Sequence, residues 1–231
     1  QPAAPTPITV GTDNVVNASE VASGSVTLRG STTGIEENQV ITLTLRNGAN
    51  TAIGSPITTT VDRLGNWSTT ITGSNLTALA ADGTYSVQTA VSSASASGSV
   101  PAPPATQSFL VDRTAPTLTI TTSATPLSDS RLNASELNAG LTISGTSSAE
   151  AGQSVDLRLG SVSSSALVQN GGTWSAALAA SDLASLADGQ QTLSATVRDQ
   201  AGNVTTTPLV LTLDRLAQIN LLPVSGDGWI N

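Results

Sequence analysis

The stretch V-I-T-L-T-L-R at residues 40–46 alternates apolar and polar side chains along its length. Successive side chains of an extended chain point to opposite faces, so Ile41, Leu43 and Leu45 fall on one face and the threonines fall on the other. The same alternation occurs in V-D-L-R-L (155–159) and L-S-A-T-V-R (193–198). This pattern is typical of β-strands that bury one face and expose the other.

These strands belong to a tandem repeat. Four motifs recur in the same order about a hundred residues apart. The pairs are T-D-N-V-V-N-A-S-E-V (12–21) with S-D-S-R-L-N-A-S-E-L (128–137), L-G-N-W-S (64–68) with G-G-T-W-S (171–175), N-L-T-A-L-A-A-D-G (75–83) with D-L-A-S-L-A-D-G (182–189), and F-L-V-D-R (109–113) with L-T-L-D-R (211–215). G-D-G-W-I-N (226–231) begins a third copy. We therefore expect the chain to be a piece of a longer array.

The repeat predicts the domain organisation and the fold class. We expect a linker at 1–7, one module at 8–113, a second at 114–216 and the start of a truncated third at 217–231. Short strands separated by turn residues, in units of about 100 residues, predict an all-β fold of tandem immunoglobulin-like Greek-key β-sandwiches with about seven strands each. Helical spacing at 179–189 adds a short helical turn before strand six, capped by Asp182 or Ser181 and ended by Gly189.

Composition excludes several classes of function. The net charge of -8 and the pI near 4.2 argue against nucleic-acid binding, which needs a basic surface. The chain has no Cys, His or Met, and all its basic residues are Arg, so the usual nucleophiles, general bases and zinc ligands are missing. Nothing in the spacing of the carboxylates marks the paired acids of a glycosidase. Without a long apolar run, membrane insertion is not expected either. We predict a protein that is not an enzyme.

The carboxylates fall mostly at turns and strand ends, where an immunoglobulin-like topology would gather several of them. At the junction between the modules we expect Asp112 from the linker, one of Asp13, Glu20 or Asp82 from module one, and Asp199 from the turn D-Q-A-G-N (199–203) of module two. Carboxylates without lysines nearby need a cation or water, and the tolerant coordination of calcium suits them better than magnesium. The predicted metal ligands are Asp112, Asp199, Asp13, Glu20, Asp82, Asp129, Glu136, Asp188 and Asp214, with Asn17, Asn133 and Asn203 as auxiliary ligands.

A simpler interpretation of each Asp stays open, because Asp in a turn caps backbone N–H groups without any metal. The dipeptide Asp-Arg also occurs at Asp62-Arg63, in a plain turn sequence. We therefore interpret Arg113 as incidental to the junction.

The few aromatic residues predict structural roles. Trp67 and Trp174, at matching places in the two repeats, are expected to anchor the cores, with a sugar-stacking surface role as the alternative. Tyr85 in L-A-A-D-G-T-Y resembles the tyrosine corner of Greek-key sandwiches. Gln191 stands at the equivalent place in the second repeat, so there we expect the corner to be lost.

Several motifs together resemble the bacterial immunoglobulin-like extender repeats of giant calcium-dependent RTX, or type I-secreted, biofilm adhesins. They are V-D-R-T-A-P-T, N-A-S-E, W-S followed by D-L-A-S-L-A-D-G, and V-R-D-Q-A-G-N-V. The resemblance implies extracellular, cell-surface spacer modules that project a distal adhesive domain, with calcium stiffening the linkers. It implies neighbouring modules of the same chain as partners, and we expect a monomer. A module that itself binds a glycan or protein, through the loop 93–106, is the alternative.

The chain departs from the pattern of these repeats at three places. Arg113 and Arg215 stand where the repeats usually carry Thr. Module one has A-S-A-S-G-S-V-P-A-P-P (94–104) where module two has D-Q-A-G-N, which puts a calcium site at its N-terminal pole in doubt. The second boundary has L-A-Q for T-A-P, so its linker has one Pro fewer.

Overall fold

The structure is a computed structural model that describes residues 2–6, 8–93, 99–123 and 126–216. It divides into unit 1, Gln1–Ala115 with Gln200–Asn203, and unit 2, Pro116–Asp199 with Val204–Asn231. The expected start of a third module at 217–231 lies outside the described residues. The module boundaries derived from the repeat stay predictions.

Unit 1 is a sandwich of a three-stranded and a five-stranded sheet. Its strands are β1 (Ile8–Val10), β2 (Val15–Asn17), β3 (Ser25–Ser31), β4 (Val40–Arg46), β5 (Ala52–Thr60), β6 (Asn66–Thr72), β7 (Gly83–Ala90), β8 (Ser92–Ser93), β9 (Val100–Pro101) and β10 (Ala105–Asp112). Its helices are α1 (Ala18–Ala22) and α2 (Gly73–Thr77). The sheet orders are β1-β3-β6 and β2-β10-β7-β4-β5, with β8-β9 as a separate hairpin.

Unit 2 has the same topology without that hairpin in its described part. Its strands are β11 (Leu118–Ile120), β12 (Arg131–Asn133), β13 (Leu141–Ser147), β14 (Ser154–Leu159), β15 (Val162–Leu167), β16 (Thr173–Leu178), β17 (Gly189–Arg198) and β18 (Val204–Asp214). Its helices are α3 (Ala134–Ala139) and α4 (Ala180–Leu183). The sheet orders are β11-β13-β16 and β12-β18-β17-β14-β15. When β1 with β2, and β11 with β12, are counted as the two parts of a first strand, each unit has the seven-stranded plan, and the predicted fold class is confirmed.

The cores form where the alternating pattern predicts. Ile41, Leu43 and Leu45 on β4 have no exposed surface. Leu157 and Leu193 occupy the same kind of position on β14 and β17 of unit 2. Burial of such side chains is the main favourable term that holds the two sheets of each sandwich together.

The chain enters each unit at one end and leaves it at the other. In unit 1, β10 runs parallel to β2, with Asp112 opposite Asn17. β1 is antiparallel to β3, which starts just after α1, so β1 runs towards the same end as β2. Unit 2 repeats this arrangement, with Asp214 opposite Asn133. We call the end where β10 or β18 finishes the outgoing end of its unit.

The short helix before the sixth strand is confirmed, but its predicted cap is wrong. Ala179 is the N-cap of α4 and makes no side-chain cap bond, while Asp182 lies inside the first turn. The helix ends at Leu183, and Gly189 begins β17 instead of ending the helix. A helix of four residues buries Leu183 and needs no separate stop signal. No helix in the described part of the chain combines the length and apolar character needed to cross a membrane.

Candidate functional site: the outgoing end of each unit

The outgoing ends collect several of the predicted ligand residues. In unit 1, the strand pairing places Asp112 opposite Asn17, which begins α1, and Val111 opposite Gly83. Glu20 on α1, Asp82 before β7 and Asp112 therefore belong to the same end. The equivalent pairings of Asp214 with Asn133 and Leu213 with Gly189 gather Glu136, Asp188 and Asp214 in unit 2.

Glu20 and Glu136 are members of helix capping boxes. Asn17 Oδ1 accepts a hydrogen bond from the Glu20 backbone N–H at 3.0 Å, and Glu20 Oε2 accepts one from the Asn17 N–H at 3.0 Å. In unit 2, the Glu136 N–H donates to Asn133 Oδ1 at 3.1 Å, and Glu136 Oε2 accepts from the Asn133 N–H at 2.9 Å. These reciprocal bonds satisfy helix-end donors that have no intrahelical partner. The spacing N-x-x-E was a sequence signal for this role, which our sequence interpretation missed.

Asp13 and Asp129 shape the turns at which the first strand changes sheet. Asp13 Oδ1 accepts from the Val15 N–H at 3.0 Å, and Asp129 Oδ1 accepts from the Arg131 N–H at 2.9 Å. Each precedes the three-residue strand that leads to the outgoing end, β2 or β12. The structure therefore places these two carboxylates one short strand away from the other acids.

Asp112 and Asp214 end the last strand of their units. Asp112 Oδ1 accepts from the Thr114 N–H at 3.1 Å, and Asp214 Oδ1 accepts from the Leu216 N–H at 3.2 Å. Both bonds are of the Asx-turn type, in which Asp bonds the backbone two residues on. Asp112 is half-buried and Asp214 is exposed.

Arg113 is not incidental, because it binds the crossover between β6 and β7. Its backbone N–H and its Nε both donate to Asp82 Oδ1, at 3.0 Å and 3.5 Å. Its Nη2 donates to the carbonyl oxygen of Ala80, and Thr114 Oγ1 donates to Asp82 Oδ2 at 2.5 Å. Hydrogen bonds from Thr114 and from the Arg113 backbone hold the pKa of the Asp82 carboxyl below its ordinary value of 3.8.

Arg215 makes the equivalent contacts in unit 2. Its Nη1 donates to Asp188 Oδ1 at 2.5 Å and to the Leu186 carbonyl oxygen at 2.8 Å. Its Nη2 donates to the Leu183 carbonyl oxygen at 2.8 Å, and its backbone N–H donates to Asp188 Oδ2 at 3.3 Å. The arginine after the last strand thus binds the crossover before the sixth strand in each of the two units. The interpretation of Arg113 as incidental is therefore wrong.

Asp62, by contrast, has the turn role that the sequence suggested. Its Oδ1 accepts from the backbone N–H groups of Asn66 and Leu64, both at 2.8 Å. The bond from the Asn66 backbone is the main cause that lowers the pKa of the Asp62 carboxyl. Arg63 is exposed and takes no part in the ion pairs of Arg113 and Arg215. An Asp-Arg dipeptide by itself therefore does not produce the arrangement at the outgoing ends.

Two of the predicted auxiliary ligands hold the segment Gln200–Asn203 within unit 1. Asn17 Nδ2 donates to the Ala201 carbonyl oxygen at 3.0 Å. Asn203 Oδ1 accepts from the Ala18 N–H, and Asn203 Nδ2 donates to the Asp112 carbonyl oxygen, both at 3.0 Å. Both amides thus already bond protein groups in this structure.

The described residues contain no group of three or more carboxylates arranged to hold a metal ion. Asp199 is buried, with 7% of its surface exposed, and follows β17 at the end opposite Asp188 in unit 2. The metal-ligand assignments made from the sequence, including Asp199 with Asp112, stay predictions.

Both tryptophans are core residues. Trp67 is 4% exposed and Trp174 is 2% exposed, so neither offers a ring face to a sugar. Tyr85 is also buried, and its hydroxyl donates to the Ala81 carbonyl oxygen at 3.0 Å, as a tyrosine corner does. Unit 2 keeps this hydrogen bond, because Gln191 Nε2 donates to the Ala187 carbonyl oxygen at 3.2 Å. The tyrosine corner itself is not kept there, as expected, because an amide replaces the phenol.

Two packed sheets, antiparallel except where β2 pairs with β10 and β12 with β18, define an immunoglobulin-like β-sandwich. The sequence profile of the bacterial Ig-like domain family matches residues 116–215. Residues 116–215, most of unit 2, belong to this family of bacterial immunoglobulin-like domains. A comparison with curated protein sequences finds no significant match.

Solved structures of bacterial adhesins are similar to the chain. One is a Ca²⁺-stabilized adhesin with which an Antarctic bacterium reaches out and binds ice: it is 32% identical, with a TM-score of 0.54, and the match covers 92% of this chain and 49% of that one. The other is a 1.5-MDa bacterial ice-binding adhesin studied for retention at the host cell surface, 27% identical with a TM-score of 0.52. That match covers 91% of this chain and 64% of the adhesin chain. The chain therefore spans half to two thirds of these structures.

Proposed function

We propose that the two units are non-catalytic, extracellular spacer modules of a bacterial surface adhesin, which extend a distal adhesive domain in cell adhesion or biofilm formation. The observation that carries the proposal is that the chain enters each sandwich at one end and leaves it at the other. A module of this kind adds its own length to an array, whereas a module with adjacent termini does not. The partners of each module would then be its neighbours in the same chain.

The similarity to adhesin structures supports the same proposal. One of them is described as Ca²⁺-stabilized, and the other as retained at a cell surface. Secretion of the RTX type and a monomeric array belong to the proposal as well.

The length of an array tests the spacer role. The eight-residue strand β10 spans about 26 Å, so each added module should lengthen the particle by at least that amount. We would measure the maximum dimension by small-angle scattering for this chain and for a tandem duplicate of it. A steady increase per module supports a spacer, and a duplicate whose maximum dimension did not grow would exclude it.

Calcium is the finer part of the proposal. Asp112 and Glu20 have the chemistry for it, because both are half-buried carboxylates at the outgoing end and their described hydrogen bonds occupy one oxygen each. The proposed ligand set at the junction adds Asp199. Calcium bound only by the folded chain raises the melting temperature by mass action. If EDTA changed neither the melting curve nor the scattering profile, calcium would have no place at the junction.

A glycan- or protein-binding module is the second candidate. Burial of both tryptophans removes the sugar-stacking surface. An open cleft of about 520 Å³ lies beside the β8–β9 hairpin, between Val40 and Pro101, and falls in the size range of ligand pockets. Residues 94–98 of the loop expected to make the contact lie outside the described part of the chain. Binding of the whole chain to a glycan array, lost when Val40 is changed to Asp, would favour this role over a spacer.

A further inference from the structure

Each outgoing end carries an arginine whose guanidinium donates to carboxylate and carbonyl oxygens. In unit 1 the guanidinium of Arg113 contacts the carboxylate of Asp82 and the carbonyl oxygen of Ala80. In unit 2 the guanidinium of Arg215 contacts the carboxylate of Asp188 and the carbonyl oxygens of Leu186 and Leu183. We call each of these groups, the arginine with its crossover Asp and carbonyls, an arginine latch.

The partners of the latch are the kind of ligands that a hard cation takes. Calcium is coordinated by carboxylates and backbone carbonyls, the same two groups that the guanidinium contacts here. A guanidinium supplies a permanent positive charge and five N–H donors in a fixed plane, so it satisfies several oxygens at once. The latch thus supplies positive charge to the crossover carboxylate of each unit.

Both oxygens of each crossover carboxylate are engaged. Asp82 Oδ1 accepts from the backbone N–H of Arg113 at 3.0 Å and from its Nε at 3.5 Å, and Asp82 Oδ2 accepts from Thr114 at 2.5 Å. Asp188 Oδ1 and Oδ2 both accept from Arg215, at 2.5 Å and 3.3 Å. A calcium ion at either carboxylate would compete with these donors for the oxygens and lie beside a positive charge.

We propose that Arg113 and Arg215 take the place of a metal ion at the crossover Asp of each unit. The latch ties the first residues after the last strand to the crossover, and so fixes the direction in which the chain leaves the sandwich without calcium. Asp82 and Asp188 then serve the arginine and do not belong to a calcium site. This inference stands on contacts inside single units and does not depend on the spacer role.

The repetition of the latch supports a selected role over a chance surface pair. The two latches use different details: Thr114 bonds Asp82 in unit 1, whereas the second unit has Leu216 at that place. What both keep is the arginine, the crossover Asp and bonds to the crossover carbonyls.

Removal of the charge tests the proposal in the whole chain. Arg113→Thr should lower the melting midpoint of unit 1 in EDTA by about 2–5 °C, as expected for loss of a partly exposed ion pair. It should also add a calcium response, because the positive charge beside Asp82 is removed and the Ala80 carbonyl oxygen loses its donor. Calcium should recover part of the lost midpoint, and calorimetric titration with calcium should show extra binding. Arg63→Thr, in the exposed turn of the same unit, is the matched control and should change neither quantity.

The complementary variant shows whether Asp82 binds calcium in the natural chain. Asp82→Asn should leave the calcium response of the otherwise unchanged chain as it is, because Asp82 is held by Arg113. A loss of calcium binding in Asp82→Asn, or an Arg113→Thr midpoint in EDTA equal to that of the unchanged chain, would overturn the proposal. Calcium at the junction is a separate question, which Asp112→Asn addresses: its effect can be present or absent without changing the result for Asp82.

Discussion

Gly145 lies on β13 between the backbone of β11 on one side and the indole ring of Trp174 on the other. A Cβ atom added to it would lie 1.9 Å from the Thr119 carbonyl oxygen and 2.7 Å from Trp174 Cζ2. The conformation of Gly145 is not left-handed, so close approach alone requires glycine. We predict that Gly145→Ala strongly destabilises unit 2, because a backbone oxygen cannot move aside as the end of a flexible side chain can.

The loss in free energy of unfolding can be worked out from the segment that the added methyl group must displace, which is β11. β11 is three residues long and pairs with β13 from Leu118 to Ile120. Displacing it loses two or three hydrogen bonds of about 1 kcal/mol each, and overpacking against the indole costs about 1–3 kcal/mol. A free-energy loss of about 3 kcal/mol is therefore a conservative expectation. For a unit of this size it lowers the melting temperature by about 12 °C or more.

Hydrogen-exchange mass spectrometry in increasing urea is the assay, because it reports on each unit separately. Peptides from unit 2 should lose protection at a lower urea concentration, while peptides from unit 1 serve as an internal reference. Ser144→Ala, one residue away on β13, is the control and should change the stability by less than about 0.5 kcal/mol. If Gly145→Ala fell within that same range, the close approach of β11 to β13 would be refuted.

Three further predictions concern the helix cap of α3, the tyrosine corner of unit 1 and the stability of unit 1 at acidic pH. Asn133→Ala should destabilise unit 2 by about 1 kcal/mol through loss of its capping box, whereas Asn138→Ala in the exposed last turn of α3 should not; urea titration of both variants measures this. Tyr85→Phe should cost about 1 kcal/mol in unit 1, because the Ala81 carbonyl oxygen loses its hydroxyl donor; an unchanged urea midpoint would show that this bond contributes nothing. Asp82 has a lowered pKa in the fold, so its contribution is present above pH 3.8 and lost as the pH falls through the lower folded-state value; Asp82→Asn should flatten this part of the acid unfolding curve measured by circular dichroism.

The carboxylates show why the candidate site could be predicted only in part. Their placement followed from topology: Asp82 and Asp112 lie at one end of unit 1 because β7 and β10 are antiparallel neighbours. The hydrogen-bond partners of these carboxylates could not be predicted from the topology. The Asp82 carboxylate binds groups 31 and 32 residues away along the chain, on Arg113 and Thr114, and no local pattern marks that pairing. Glu20 is the opposite case, since its cap partner Asn17 is three residues away and was readable from the sequence.

The sequence by itself determined the two sandwiches. A sequence that alternates apolar and polar residues forms a strand with one buried face. The same alternation, with turn residues between the strands, occurs in both units. It also determined the buried tryptophans and the tyrosine corner of unit 1. Only the tertiary structure decided what the charged residues do. From its residue type alone, a carboxylate in a turn is equally able to bind a metal ion, to cap a helix or to accept hydrogen bonds from a guanidinium. The choice depends on which donor the fold brings within about 3 Å of its oxygens. At the crossover of unit 2 that donor is the guanidinium of Arg215, and in unit 1 the backbone N–H of Arg113 and the hydroxyl of Thr114 share this role.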